Sequence, residues 1–212
     1  ARIINDTSYL NSDNTITIIL DIEEGDLYTF GTINFIGNQI YSNEELKKQL
    51  SINEGDIFNQ AILEERLFAS PNGNDISSIY LDDGYLFFNA TPVETSVKNN
   101  MIDLEIRIYE GDQARINKVN VIGNTKTNDH VIMRELRSRP GDLFKRSDII
   151  RSQRELAQMQ YFDPEAFDVK IEPDQIRNEV DVTYVLAEKS SDQIQLQGGW
   201  GAGRVVGSLV LT

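Results

Sequence analysis

The sequence predicts an α+β chain built from tandem copies of one small module, each running strand, helix, helix, strand, strand. The first observation behind this is a fixed period. Phe35-Ile36-Gly37-Asn38 returns as Val121-Ile122-Gly123-Asn124, always 86 residues on, together with Glu24-Gly25-Asp26 as Glu110-Gly111-Asp112 and Gly55-Asp56-Ile57-Phe58 as Gly141-Asp142-Leu143-Phe144. Three coincidences at one offset mark a tandem array. The second observation is alternation: Met101, Ile102, Leu104, Ile106 and Ile108 follow the period of a strand with one buried face. The third is Ser42-Asn43-Glu44-Glu45, a capping box that opens a helix.

Taken in order, residues 1–24 read as the last two strands of a preceding copy. Ile3 and Ile4 sit in one, and Ile16, Ile18, Leu20 and Ile22 alternate in the other. Without its first strand and helices, such a hairpin is poorly supported. The chain is therefore expected to be a piece of a longer protein. The first complete copy spans 25–110. Thr29 to Phe35 is a strand with Phe30, Ile33 and Phe35 apolar, and Gly37-Asn38 turns the chain. The capped helix places Leu46 and Leu50 on one face, and Gly55 ends that unit. Phe58, Ile62, Leu63 and Leu67 mark a second short helix. Pro71 to Asp75 and Asp83-Gly84 are turns, followed by strands over Tyr85 to Thr95 and Met101 to Ile108.

The second copy spans 111–190 on the same plan. Ile116, Val119 and Val121 lie in its first strand, and Asn128 caps a helix carrying Val131, Ile132 and Leu136. Ile149, Leu156 and Met159 mark the next helix. Phe167 to Ile171 and Val180 to Leu186 close the copy. Tyr161-Phe162 matches Tyr85-Leu86 at an offset of only 76, so the first copy carries about ten extra residues near Ser70 to Ile79. Only Tyr109 to Ala114 joins the copies, a short connection that suits a stiff joint. In the tail, 191–212, Ile194, Leu196, Gly198 and Trp200 alternate with Gln193, Gln195, Gln197 and Gly199. After Gly201-Ala202-Gly203-Arg204 the chain is extended again. The pattern fits a membrane β-barrel strand and also an ordinary hairpin.

Charge separates the copies. Residues 1–110 hold 19 acidic and 6 basic side chains, and residues 111–212 hold 15 and 14, within a total of −14 over 212 residues. The first half repels nucleic acid, so no nucleic-acid partner is expected. Arg134, Arg137, Arg139, Lys145, Arg146, Arg151 and Arg154 fall within 21 residues of the second half. They form either two solvated helix faces or a face meeting an acidic partner or a membrane surface. Arg134, Arg137, Arg139, Arg151 and Arg154 are the candidates for such a face. The absence of cysteine excludes disulfides and thiolate metal sites. No stretch approaches the roughly 18 apolar residues of a membrane helix.

Catalytic chemistry is not indicated. His130 is the only histidine and starts a helix. Asp82-Asp83-Gly84 lacks the later ligands of a calcium loop and reads as a turn. Gly199-x-Gly201-x-Gly203 lacks the dinucleotide spacing and a following helix. The Glu-Gly-Asp pairs are turns. No acid, base and nucleophile come together, so a non-enzymatic binding module without cofactor or metal is expected.

The element order, with Gly-Asn after the first strand and Gly-x-x-Phe between the helices, resembles the POTRA module. Gly123-Asn124, Thr127, Arg134-Glu135, Gly141, Phe144 and Tyr161-Phe162 resemble the last POTRA repeat of BamA-type outer-membrane protein assembly factors. Val180 to Glu188, then the Gly-rich Leu196 to Gly203, is similar to that family's crossing into its first barrel strand. The resemblance implies a three-stranded mixed sheet with two helices on one face. It makes 1–24 the end of a third repeat, 25–110 a fourth, 111–190 a fifth and 191–212 the start of the transmembrane β-barrel. It implies a periplasmic scaffold region of a Gram-negative outer-membrane protein, with accessory lipoproteins and unfolded outer-membrane proteins as partners. The alternative within the resemblance is a related secretion transporter with a narrower client set.

In such a sheet two strands are edges, and an edge offers a row of backbone groups that an extended peptide can join. Pro92 puts the Tyr85 to Thr95 strand at an edge, and Phe167 to Ile171 takes the same place between Pro164 and Pro173. The candidate peptide-binding positions are Tyr85, Phe87, Phe88, Thr91 and Val93, with Phe167, Val169 and Ile171. Proline and charge also protect edges, so these residues equally suit a purely protective role.

Overall fold

A computed structural model describes residues 2–70, 73–189, 194–201 and 204–211. The chain divides into two compact units, one of Ala1–Ile76 with Asn89–Tyr109, the other of Ser77–Phe88 with Glu110–Thr212.

The first unit begins with β1 (Arg2–Leu10) and β2 (Ile16–Glu23), paired antiparallel as a separate two-stranded sheet. Ile3, Ile4, Leu10, Ile16, Ile18 and Ile22 are exposed on it. The main sheet holds β3 (Thr29–Ile36), β4 (Asn89–Lys98) and β5 (Met101–Tyr109) in the order β3-β5-β4. β5 is central, parallel to β3 and antiparallel to β4, so the sheet is mixed. Helix α1 (Asn43–Leu50) has both arms of its capping box. The Glu45 amide donates to Ser42 Oγ at 3.3 Å and the Ser42 amide donates to Glu45 Oε2 at 2.9 Å. Leu46 and Leu50 are buried beneath it.

The second helix of this copy is broken. α2 (Gln60–Glu64) opens on Asn59, whose Oδ1 accepts from the Ala61 and Ile62 amides. It widens into a π-helical turn over Glu65–Ala69 and stops. The Ser70 amide donates to Asp75 Oδ2 at 3.2 Å, and a helix resumes as α3 (Ile76–Asp82). The range expected to hold the insertion, Ser70 to Ile79, takes in this break and the first turn of α3; Pro71 and Asn72 lie outside the described residues.

One strand assignment needs correction. Tyr85 to Phe88 are not in β4, which starts at Asn89 and runs to Lys98. They form a turn in which the Tyr85 amide donates to the Tyr80 carbonyl and the Phe88 amide to the Tyr85 carbonyl. The ring of Phe88 stacks on Tyr80 with centroids 4.2 Å apart. Four consecutive ring or leucine side chains have no two-residue period, and the aromatic contacts decide against a strand.

The second unit carries β6 (Arg115–Ile122), α4 (Asp129–Met133), α5 (Arg146–Gln158), β7 (Asp168–Asp174) and β8 (Glu179–Val185). Its sheet order is β6-β8-β7, again mixed. Ile116, Ile132, Leu136, Phe144, Ile149, Leu156, Phe162, Val182 and Tyr184 form its core. α4 is short: Leu136 is buried but beyond its end, and Asn128 holds the N-cap position without a side-chain cap bond. Phe167 also falls outside its expected strand. A 3₁₀ turn over Pro164–Ala166, capped by Asp163, ends at Phe167, and β7 starts one residue later. Finally β9 (Ile194–Gly201) and β10 (Arg204–Leu211) pair antiparallel. The expectations on Gln193, Ala202, Gly203 and Thr212 lie outside the described residues.

The repeated Gly-Asn has one physical cause in both copies. Gly37 and Gly123 both have φ of +92°, and a Cβ at either would strike the backbone carbonyl of Ile108 or Leu186. The asparagine then brackets the next turn. Asn38 Nδ2 donates to the Tyr41 carbonyl at 2.8 Å and Asn43 Oδ1 at 2.9 Å; Asn124 Nδ2 donates to the Thr127 carbonyl at 2.9 Å and Asp129 Oδ1 at 2.6 Å.

Candidate binding surfaces

The loop between the helices covers the start of the first strand in each copy. The Gly55 amide donates to the Phe30 carbonyl and the Phe58 amide to the Tyr28 carbonyl. In the second copy the Gly141 amide donates to the Ile116 carbonyl and the Phe144 amide to the Ala114 carbonyl. Beyond this cover, Val119, Asn120, Val121 and Ile122 of β6 line a groove of about 460 Å³ together with Thr183 of β8 and Asp129 and Met133 of α4. β6 contains no proline. Its outer edge presents a row of backbone groups beside a lining that mixes Ile122 and Met133 with Asn120, Asp129 and Thr183, and an added strand can use such a row.

Sequence reasoning missed this edge because it searched for proline. Proline finds edge strands, but it also removes donors from them. On β4, Pro92 pairs opposite Ile106 in mid-strand. Thr91 and Val93 are on β4, paired with Arg107 and Glu105. On β7, Val169 and Ile171 pair opposite Tyr184 and Val182, and Pro173 opposite Val180. Val169 packs on the core and Ile171 is exposed. Tyr85, Phe87, Phe88 and Phe167 are half-buried outside any strand, so they add no backbone edge. Four of the eight expected edge positions thus lie on an edge strand.

The arginines divide in the same way. Arg134, Arg137 and Arg139 line one groove of about 480 Å³ with Glu135, Asp142 and Glu155. Arg151 and Arg154 are exposed on α5 and do not line it. Arg137 makes a two-point contact with Glu155: Nη2 donates to Oε1 at 2.6 Å and Nε to Oε2 at 3.2 Å. The hydrogen bond and the charge of Glu155 raise the Arg137 pKa, and the Arg137 hydrogen bond holds the Glu155 carboxyl below its usual range. The Arg137 amide also donates to the buried Ser152 Oγ at 2.9 Å. Arg134 donates to Glu135 at 3.0 Å. The face is therefore a mosaic, with Arg137 held in place.

Three residues past β8, Glu188 closes the repeat. Its carboxylate accepts from Thr125 Oγ1 and the Lys126 amide at 2.8 Å and from the Thr127 amide at 2.6 Å. Removal from water pushes its pKa up, but the bonds from Thr127, Thr125 and Lys126 together outweigh this and hold it at about 2.

Comparison with known proteins bears on the repeat as a whole. The POTRA family model, described as a surface antigen variable number repeat, matches residues 28–111 and again 114–189. The chain belongs to the POTRA family. Among curated relatives, the outer membrane protein assembly factor BamA of Nitratidesulfovibrio vulgaris is 30% identical over 190 residues, covering 89% of this chain and 23% of the relative. The BamA of Neorickettsia risticii is 27% identical over 193 residues, covering 90% of this chain and 25% of the relative. The chain thus spans about a quarter of the length of these relatives. The crystal structure of Haemophilus influenzae BamA POTRA3-5 matches with a TM-score of 0.68 at 21% identity, covering 88% of this chain and 72% of that one. That likeness shows the POTRA fold, with its three-stranded mixed sheets.

Proposed function

We propose that this chain is the periplasmic binding and scaffold region of an outer-membrane β-barrel assembly factor. In this reading residues 1–24 end a third POTRA repeat, 25–110 and 111–190 are the fourth and fifth, and 191–212 begin the barrel. The fold likeness to a structure of the third to fifth repeats of one BamA supports the numbering. The repeats dock accessory lipoproteins and guide unfolded outer-membrane proteins toward insertion by adding client segments to a sheet edge. The observation that carries this is the proline-free β6 edge beside the α4 groove. Backbone pairing places little demand on client sequence, which suits many clients with alternating apolar residues. The groove of Arg134, Arg137 and Arg139 supports docking of an acidic partner surface.

Depletion of the full-length protein tests the reading. The amount of folded β-barrel protein in the outer membrane is expected to fall broadly. Loss of one secreted or inserted client alone would instead favour a narrow transporter, and normal levels would contradict both.

A further inference from the structure

Asp82-Asp83-Gly84 lacks the later ligands of a calcium loop, yet each of its residues grips the second POTRA repeat. α5 starts after Lys145, whose side chain makes no capping bond. The acceptor its first turn lacks comes from 65 positions earlier in the chain: the Ser147 amide donates to Asp82 Oδ1 at 2.7 Å. One residue on, the Asp83 carbonyl accepts from Gln113 Nε2 at 2.8 Å. The Gly84 carbonyl accepts from the Ala114 amide, also at 2.8 Å. Gly84 is buried with φ of +88°, and a Cβ there would stand 2.5, 2.7 and 2.9 Å from Leu143 Cγ, Cδ1 and Cδ2. Beside them Arg146 Nη1 donates to Ser78 Oγ at 3.0 Å.

A solvent-facing turn needs none of these contacts. We propose that Asp82 is the N-terminal cap of the second repeat's α5, supplied from outside that repeat, while Asp83 and Gly84 tie the same turn to Gln113, Ala114 and Leu143. The first amides of a helix have no partner within it, and a carboxylate there also meets the positive end of the helix dipole. Lys145 can do neither, and Asp82 does both. The second repeat therefore completes its fold with residues that precede its own sequence. The cap also steadies the helix carrying Ser152 and Glu155, the two residues that hold Arg137.

Amide hydrogen exchange on the 212-residue chain tests this. Asp82→Ala is expected to speed exchange at Ser147 and the first turn of α5 roughly fivefold, the effect of losing a helix cap. Exchange in α1, capped by its own Ser42, stays unchanged. Unaltered exchange at Ser147, or equal acceleration in α1 and α5, overturns the proposal. Gly84→Ala gives a second arm. It is expected to lower protection of the Ala114 amide, and adding Leu143→Ala restores part of it; no restoration contradicts the packing of Gly84 on Leu143.

Discussion

The two complete POTRA repeats share a backbone solution and differ in almost everything laid over it. Both place a glycine where a Cβ would strike a backbone carbonyl at the C-terminal end of the central strand, Ile108 in β5 or Leu186 just past β8, and both bracket the following turn with asparagine. Their second helices then diverge. In the second repeat it is one helix of 13 residues, α5; in the first it breaks into α2, a π turn and α3. Their cores diverge as well. Register places Ile106 opposite Phe35 and Tyr184 opposite Val121, so the two residues are equivalent. Ile106 is fully buried in an apolar setting, whereas Tyr184 lies near Ser138 and Ser152. Burial pushes the Tyr184 phenol pKa up. What repeats is thus the geometry of the sheet and its turns, and what differs is the second helix and the core beneath it.

Breaking the shared frame should cost most. Gly37→Ala and Gly123→Ala each combine a backbone collision with a left-handed φ, so each is expected to cost about 3–4 kcal/mol in denaturant unfolding. A large loss in one repeat and none in the other would break the equivalence. The cores should respond less evenly. Ile106→Ala is expected to cost about 3 kcal/mol through the cavity it leaves. Tyr184→Phe removes a hydroxyl with no hydrogen-bond partner among the described residues and should change stability by less than about 1 kcal/mol.

Helix caps sharpen the comparison on a smaller scale. Ser42→Ala removes a bonded cap and should cost about 1 kcal/mol. Asn128→Ala removes a cap residue without a cap bond and should cost only a few tenths. The end of the second repeat adds a pH signature. Because the folded pKa of Glu188 lies at about 2, below its ordinary 4.5, its contribution is complete above 4.5 and is lost as pH falls toward 2. In acid titrations Glu188→Gln should remove that part of the pH dependence. Smallest in stability is Arg139→Glu, an exposed change expected to stay within about 0.5 kcal/mol. If the proposed docking role holds, it should nonetheless weaken co-purification of acidic accessory partners with the full-length protein; undiminished capture would make the groove a solvated face.

The parts of the fold legible in sequence were those fixed by local chemistry. The Ser42 capping box, the alternation of Met101 to Ile108 and the repeated Gly-Asn each determine their own neighbourhood, and each formed as expected. Features set by distant residues were not legible. Tyr85 and Phe88 lie outside the strand with their rings against Tyr80, Leu86 packs on the second repeat's core, and Asp82 caps a helix 65 positions away. The arginines showed the same limit: their clustering was visible, but the Glu155 contact that fixes Arg137 spans 18 residues. The proline signal located β4 and β7 and passed over the two proline-free edges, β3 and β6, since such an edge is marked in sequence only by what it lacks.

The central claim, that the second repeat takes clients on β6 rather than on the proline-bearing edges, is tested most directly by a backbone amide titration with a peptide of alternating apolar residues. The account predicts shifts concentrated on Val119 to Ile122, with β4 and β7 unmoved. Shifts confined to Thr91 and Val93, to Val169 and Ile171, or to helix surfaces would contradict it.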